Sequence, residues 1–172
     1  RALPFATGIK TANSDLHVIV IMGDGDGATI GGNHLIHAAR RNIDLTAIVV
    51  NNSNYGMTGG QLSATTPGGK ITSTSEFGNP ERAFDLCGLV DAAGANYVAR
   101  GTVYHVAQLD KLIQDGIMRK GFSFIEVVSP CPTHFGRRNH MGDGVAMMKY
   151  LKEKGVTPCL LYTSDAADEA RS

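Results

Sequence analysis

His17-Val-Ile-Val-Ile-Met-Gly-Asp-Gly-Asp-Gly27 decides how the chain is read. Its first half is a continuous apolar, β-branched run, the composition of a strand buried on both faces. Gly23 to Gly27 then reads as a tight turn. Ile30 to Arg41 follows as a helix with Leu35, Ile36 and Ala39 on one side. Thr46 to Val50 is a second buried strand, and it ends in Asn51-Asn52. A right-handed strand–helix–strand crossover puts both strand ends on one edge of the sheet. Asp24 and Asn52 are therefore expected to meet in space.

The rest of the chain repeats the alternation. Asn51 to Asn79 is a long Gly/Thr/Ser-rich loop, and loops of that length in a domain usually carry function or lack order. Pro80 to Ala93 is expected as a helix, Tyr97 to Arg100 as a short strand and His105 to Lys120 as an amphipathic helix. Phe122 to Val128 is expected as a strand and Gly144 to Lys154 as the final helix. No internal repeat is visible. The fold class is α/β, a parallel sheet with helices on both faces. Ligands in such sheets bind beyond the C-terminal strand ends, where the glycines cluster. The 172 residues include 21 glycines, eight of them between Gly23 and Gly60.

Composition narrows the partners. The chain is 42% hydrophobic and 19% charged, enough apolar side chain for a core. Basic and acidic residues number 16 each, which argues against nucleic acid or an anionic membrane. No apolar run is long enough to span a bilayer, and no signal peptide is visible. Cys87, Cys131 and Cys159 make no disulfide framework, so a reducing cytoplasm is expected. Both termini look non-native. Arg1 to Phe5 opens without a cap, as a truncated end would. Residues 159 to 169, Cys-Leu-Leu-Tyr-Thr-Ser-Asp-Ala-Ala-Asp-Glu, resemble a translated sequencing adapter. The domain is therefore expected over residues 1–158, with 159–172 a non-native tail.

The chemistry follows from the strand ends. A carboxylate, an amide oxygen and loop carbonyls are hard oxygen donors suited to Mg²⁺. Mg²⁺ takes few protein ligands and completes its shell with phosphate and water. Gly23, Gly25 and Gly27 let backbone N–H groups approach the same phosphates, and the helix start near Ile30 adds a positive dipole end. The residues read as a Mg²⁺–diphosphate cradle. A dinucleotide turn is the competing reading, from the spacing of Gly25, Gly27 and Gly31. It calls for a ribose-binding acid at the end of the second strand, where Asn51 stands. An EF-hand is excluded, because its twelfth position is Leu35 rather than Glu. His34 and His37 share one helix and read either as structural or surface residues or, His34 before His37, as contacts near the bound ligand; Arg137-Arg138 read either as a solvated charge pair or as a site for an anionic substrate or partner. Cys87 reads as a small core residue.

Gly23-Asp-Gly, then Asn51-Asn52 at this distance, resembles the thiamine diphosphate motif. Gly23 to His34, Arg40-Arg41-Asn42 and Tyr55-Gly-Met-Thr-Gly-Gly-Gln61 together resemble the β subunits of the 2-oxoacid:ferredoxin oxidoreductases, over essentially all of residues 1–158. Gly121-Phe-Ser-Phe-Ile-Glu126 and Cys131-Pro-Thr133 are most similar to the 2-oxoglutarate branch. Ala64, where the family commonly has Pro, and Ser129-Pro130 depart from it.

The resemblance implies the thiamine diphosphate-binding fold and oxidative decarboxylation of a 2-oxoacid with coenzyme A, giving acyl-CoA and CO₂ and reducing ferredoxin. It implies Asp24, the Asn52 side chain and the Asn54 carbonyl as Mg²⁺ ligands. Gly25, Asp26 and Gly27 line the diphosphate, and Tyr55, Gly56, Met57 and Thr58 lie along the cofactor. Cys131 matches one ligand of an iron–sulfur cluster, whose thiolates come in fours; the other three belong upstream of Arg1. No Glu here is placed to activate the aminopyrimidine. That acid is expected from an α subunit, so this chain contributes no catalytic residue and is expected to be inactive alone. Two other classes stay open: a nonoxidative thiamine enzyme of the acetolactate synthase kind, with no need of Cys131, and a noncatalytic nucleotide-binding module.

Overall fold

Four runs rich in β-branched residues form parallel strands: β1 Ile19–Gly23, β2 Thr46–Asn51, β3 Tyr97–Thr102 and β4 Ser123–Val128. The computed structural model describes residues 1–154 and 160–162. The strands lie side by side in the order β1-β2-β4-β3. β1 pairs with β2 from Ile19 opposite Thr46, and β2 with β4 from Thr46 opposite Ser123. All four C-terminal ends therefore share one edge. A fifth short strand, β5 Leu160–Tyr162, runs antiparallel beside β3. It belongs to the segment expected to be non-native; residues 155–159 and 163–172 of the chain lie outside the described residues.

Helices cover both faces. On one side α1 (Ala2–Ala12), α2 (Gly32–Arg40) and α3 (Leu86–Ala92) bring Leu3, Leu35, Leu86 and Val90 onto Val20, Val49, Val98 and Phe124. On the other, α4 (Val106–Met118) sets Leu112 against Tyr97, Ala99, Ile125 and Val127. Burying these two layers supplies the main driving force for folding. The last helix, α5 (Gly144–Glu153), starts at Asp143, whose carboxylate accepts the Ala146 N–H at 2.8 Å as an N-cap. No helix of the described residues is long and apolar enough to cross a membrane.

Four local expectations need correction. β1 is not buried on both faces: Ile19 and Ile21 are exposed while Val20 and Met22 are buried. Among the described strands it pairs only with β2, and α4 packs on β3 and β4 rather than over it. The helix expected from Pro80 begins only at Leu86, because the Phe84 N–H is bonded to the Ala64 carbonyl at 2.8 Å instead of to its own turn. Gly25–Ile30, placed partly in a turn, is a π-helical turn feeding into α2. Helix α1 was not expected at all. Gly32–Arg40, Val106–Met118 and Gly144–Glu153 fall within the predicted helices.

Candidate functional site

β1, β2 and β4 end side by side, and each runs into a loop that carries residues expected at the site. Asp24 follows β1, Asn52 to Asn54 follow β2, and Cys131 lies three residues beyond β4. Asp24 is 1% exposed. Its Oδ1 accepts the Asn52 backbone N–H at 3.4 Å, so the two residues meet as expected. Ser53 adopts a left-handed conformation (φ 65°) and turns the chain back on itself. Its N–H is held by Asn51 Oδ1 at 3.0 Å.

This turn brings the Asn52 side chain against Asn54. One terminal atom of the Asn52 amide lies 2.7 Å from the Asn54 carbonyl oxygen and 3.1 Å from Asp24 Oδ1. As the side chain stands, that atom is the amide oxygen, so a carboxylate, an amide and a carbonyl oxygen converge; rotated by 180°, the amide would instead present its nitrogen and donate to both acceptors. Adjacent ligands of an octahedral Mg²⁺ at 2.0–2.1 Å stand about 2.9 Å apart. The Asn54 carbonyl also accepts the Gly56 N–H at 3.0 Å and keeps a second lone pair. The donor set and its spacing fit Mg²⁺. It contains only one acidic group. Among the described residues no group of three or more His, Cys, Asp and Glu is arranged to hold a metal ion.

The glycine turn beside Asp24 is tightly engaged. The Tyr55 hydroxyl donates to the Gly25 carbonyl at 2.9 Å. Its ring lies so close that a Cβ at Gly25 would overlap it, so only glycine fits there. Gly27 is buried and faces Met22 and Val49 of the sheet, while Gly23 is exposed at the end of β1. Asp26 is half-exposed and accepts the Arg1 ammonium at 3.2 Å. The loop from Tyr55 to Gln61 closes on itself: Thr58 Oγ1 donates to Gln61 Oε1 at 2.7 Å, and Gln61 Nε2 returns a bond to the Thr58 carbonyl at 2.8 Å. Gly56 sits beside Asn52 and Asn54, and Met57 projects 99% exposed from the tip.

Cys131 is half-buried, with Sγ 3.8 Å from Asn54 Oδ1 and next to Gly56. Its surroundings are polar loop rather than aliphatic core. Cys87 is buried in α3, as expected. His34 and His37 line a groove between α1 and α2 with Leu3, Pro4 and Thr7. Arg137 and Arg138 are exposed. Asn51, where a dinucleotide site needs a free acid, is fully engaged: its Nδ2 donates to Glu126 Oε1 at 2.7 Å. That engagement removes the dinucleotide reading.

Sequence reasoning missed the residues that hold Asp24 and the Asn51–Asn54 turn in place. Ser63 Oγ and Thr65 Oγ1 both donate to Asp24 Oδ2, at 2.5 and 2.6 Å. Glu126, 3% exposed, accepts Arg100 Nε at 2.6 Å, and Arg100 also bonds Asp85 at 2.5 Å. Burial alone would lower the Arg100 pKa; the Glu126 carboxylate outweighs it, so the pKa rises. Arg100 in turn holds the Asp85 carboxyl below its ordinary value, against the effect of burial. The run of hydroxyls Ser63, Thr65 and Thr66 inside a long loop was the one available signal.

Residues 1–127 match the family described as thiamine pyrophosphate enzyme, C-terminal TPP binding domain. The chain belongs to this family. Among individual proteins, it is 58% identical over 156 residues to the 2-oxoglutarate synthase subunit KorB of Methanothermobacter marburgensis, covering 91% of this chain and 55% of that one. It is 46% identical to the 2-oxoacid:ferredoxin oxidoreductase subunit beta of Saccharolobus solfataricus, over 78% of this chain and 44% of that one. The chain thus spans about half the length of the curated relatives it matches. A solved structure of the 2-oxoglutarate:ferredoxin oxidoreductase from Magnetococcus marinus, with 2-oxoglutarate, coenzyme A and succinyl-CoA bound, superposes with a TM-score of 0.82. Its identity is 33%, over 96% of this chain and 63% of that one. A thiamine diphosphate-dependent 4-hydroxybenzoylformate decarboxylase from Rhodococcus jostii, 22% identical with a TM-score of 0.53 over 74% of this chain and 22% of that one, shares the fold. The expected fold is the observed one.

Proposed function

We propose that this chain is the thiamine diphosphate-binding part of a 2-oxoacid:ferredoxin oxidoreductase β subunit, acting on 2-oxoglutarate. The reaction is oxidative decarboxylation with coenzyme A, giving succinyl-CoA and CO₂ and passing two electrons through iron–sulfur centres to ferredoxin. One observation carries the reading: the Asn52 amide sits 2.7 and 3.1 Å from the Asn54 and Asp24 oxygens, at the ends of adjacent parallel strands. A Mg²⁺ there is held by Asp24 Oδ1, the Asn52 amide oxygen and the Asn54 carbonyl. Gly23, Gly25, Asp26 and Gly27 receive the diphosphate, with Tyr55, Gly56, Met57 and Thr58 beside the cofactor. Bound thiamine diphosphate supplies the carbanion-stabilising chemistry, and the protein holds and orients it.

The close relatives support the oxidative class and the 2-oxoglutarate branch. Cys131 supports it from within the chain. It adjoins the metal loop, on the edge where electrons must leave, and supplies one thiolate to a cluster. The nonoxidative alternative gives that residue no task. A second, α-type subunit contributes the acid that activates the aminopyrimidine, and exposed Met57, Phe77 and Phe84 on the loops between β2 and α3 suit an interface.

The test is reconstitution with the α subunit and assay of pyruvate and 2-oxoglutarate with coenzyme A and ferredoxin. The complex is expected to reduce ferredoxin with 2-oxoglutarate, and the chain alone to turn over neither acid. Turnover by the chain alone, or decarboxylation by the complex with no demand for an electron acceptor, contradicts the proposal.

A further inference from the structure

We propose that Ser63 and Thr65 set the ion selectivity of the metal site, by restricting Asp24 to one ligating oxygen. The inference rests on the Mg²⁺ site proposed above. Both hydroxyls donate to the same carboxylate oxygen, Oδ2, at 2.5 and 2.6 Å. These are the lengths of charge-assisted O–H···O⁻ bonds. A carboxylate oxygen offers two lone pairs in the carboxylate plane, and two such donors occupy them. Oδ1, on the Asn52 side, is left for an ion.

The clamp is itself held. Ser63 and Thr65 are 3% and 4% exposed, so water cannot readily replace either hydroxyl. The Ser63 N–H is bonded to Thr66 Oγ1 at 3.0 Å, and Thr66 Oγ1 donates to the Ser53 carbonyl at 2.7 Å. The Ala64 N–H is bonded to Thr29 Oγ1 at 2.8 Å. The segment that carries the hydroxyls is thus tied to the turn that carries Asn52 and Asn54. A carboxylate fixed this way binds through one oxygen. Mg²⁺ accepts that readily, with six ligands at 2.0–2.1 Å. Ca²⁺ takes six to eight oxygens at 2.3–2.6 Å and often uses both oxygens of a carboxylate. The clamp therefore disfavours Ca²⁺ and leaves Mg²⁺ unhindered.

The experiment is competition in the purified full chain with thiamine diphosphate. Mn²⁺ binding is followed by the electron paramagnetic resonance of the free ion, and Mg²⁺ or Ca²⁺ is used to displace it. Removing the donors in Ser63→Ala/Thr65→Val should move the Mg²⁺/Ca²⁺ preference toward Ca²⁺ by about tenfold, the scale of one charge-assisted hydrogen bond. Each single variant should shift it less, and Thr65→Ser, which keeps the hydroxyl, should keep the wild-type ratio. The single variants also carry the test if the double variant does not fold. An unchanged ratio in variants with wild-type circular dichroism overturns the clamp and leaves the metal site standing. Absence of saturable Mn²⁺ binding by the wild type overturns both.

Discussion

Asp24, just past β1, and Glu126, within β4, are buried to nearly the same degree and have different work. Among the described residues Asp24 accepts from neutral donors alone, so its charge remains available to an ion. Glu126 is neutralised by Arg100 and orients Asn51, which holds the Ser53 turn. Removing one partner of a buried pair leaves the other desolvated and uncompensated. Glu126→Ala should therefore lower the unfolding free energy by about 3–5 kcal/mol in urea denaturation at pH 7. Asp85→Ala removes the exposed end of the same network and should cost no more than about 1 kcal/mol. Equal losses from the two would show that burial does not set the ranking. Of these residues, the cradle with Asp24 and Asn52 was legible because glycine, aspartate and asparagine punctuate apolar runs at a recognisable distance. Ser63, Thr65, Glu126 and Arg100 were not, because their roles depend on partners 15 to 75 positions away in the chain.

The parallel strands were legible as elements, since a β-branched apolar run has few other uses. Their order was not. β1 and β2 read alike in sequence, yet among the described strands β1 lies beside β2 alone and exposes Ile19 and Ile21. The Gly/Thr/Ser composition of the long loop makes irregular chain legible, but its internal geometry depends on single residues. Gly60 has φ +84°, and a Cβ there would come within 2.7 Å of His134 Cβ. Gly69 has φ +75° with open space around it. Gly69→Ala should cost about 1–2 kcal/mol from backbone conformation alone, and Gly60→Ala measurably more because it adds a clash. Equal melting temperatures for the two variants would contradict the packing assigned to His134. Elsewhere, Asp44 ties α1 to the chain before β4: it accepts Lys10 Nζ at 2.8 Å and the Gly121 N–H at 2.8 Å. Burial pushes the Asp44 carboxyl up, but Lys10, Gly121 and Lys120 together hold it below its ordinary 3.8. A carboxyl held low in the folded state stabilises that state above its ordinary pKa, and the stabilisation is lost as pH falls through the folded value. Asp44→Asn should thus lose less stability than wild type between pH 5 and the acid limit, in denaturation followed by circular dichroism. Identical acid profiles would remove Asp44 from the account.

For the whole molecule, the parallel sheet decides everything downstream. It places Asp24, Asn52 and Cys131 at neighbouring strand ends, where the proposed function calls for a second subunit to close over them. Under the proposed function this edge holds a diphosphate through Mg²⁺ on Asp24. Thiamine diphosphate should be titrated calorimetrically into the wild-type chain and Asp24→Ala, each with and without Mg²⁺, after their circular dichroism spectra have been matched. The account predicts Mg²⁺-dependent binding by the wild type and its loss in Asp24→Ala, since Asp24 is the one charged ligand proposed for the ion. Equal affinity in the two proteins, or binding by the wild type that ignores Mg²⁺, would contradict it.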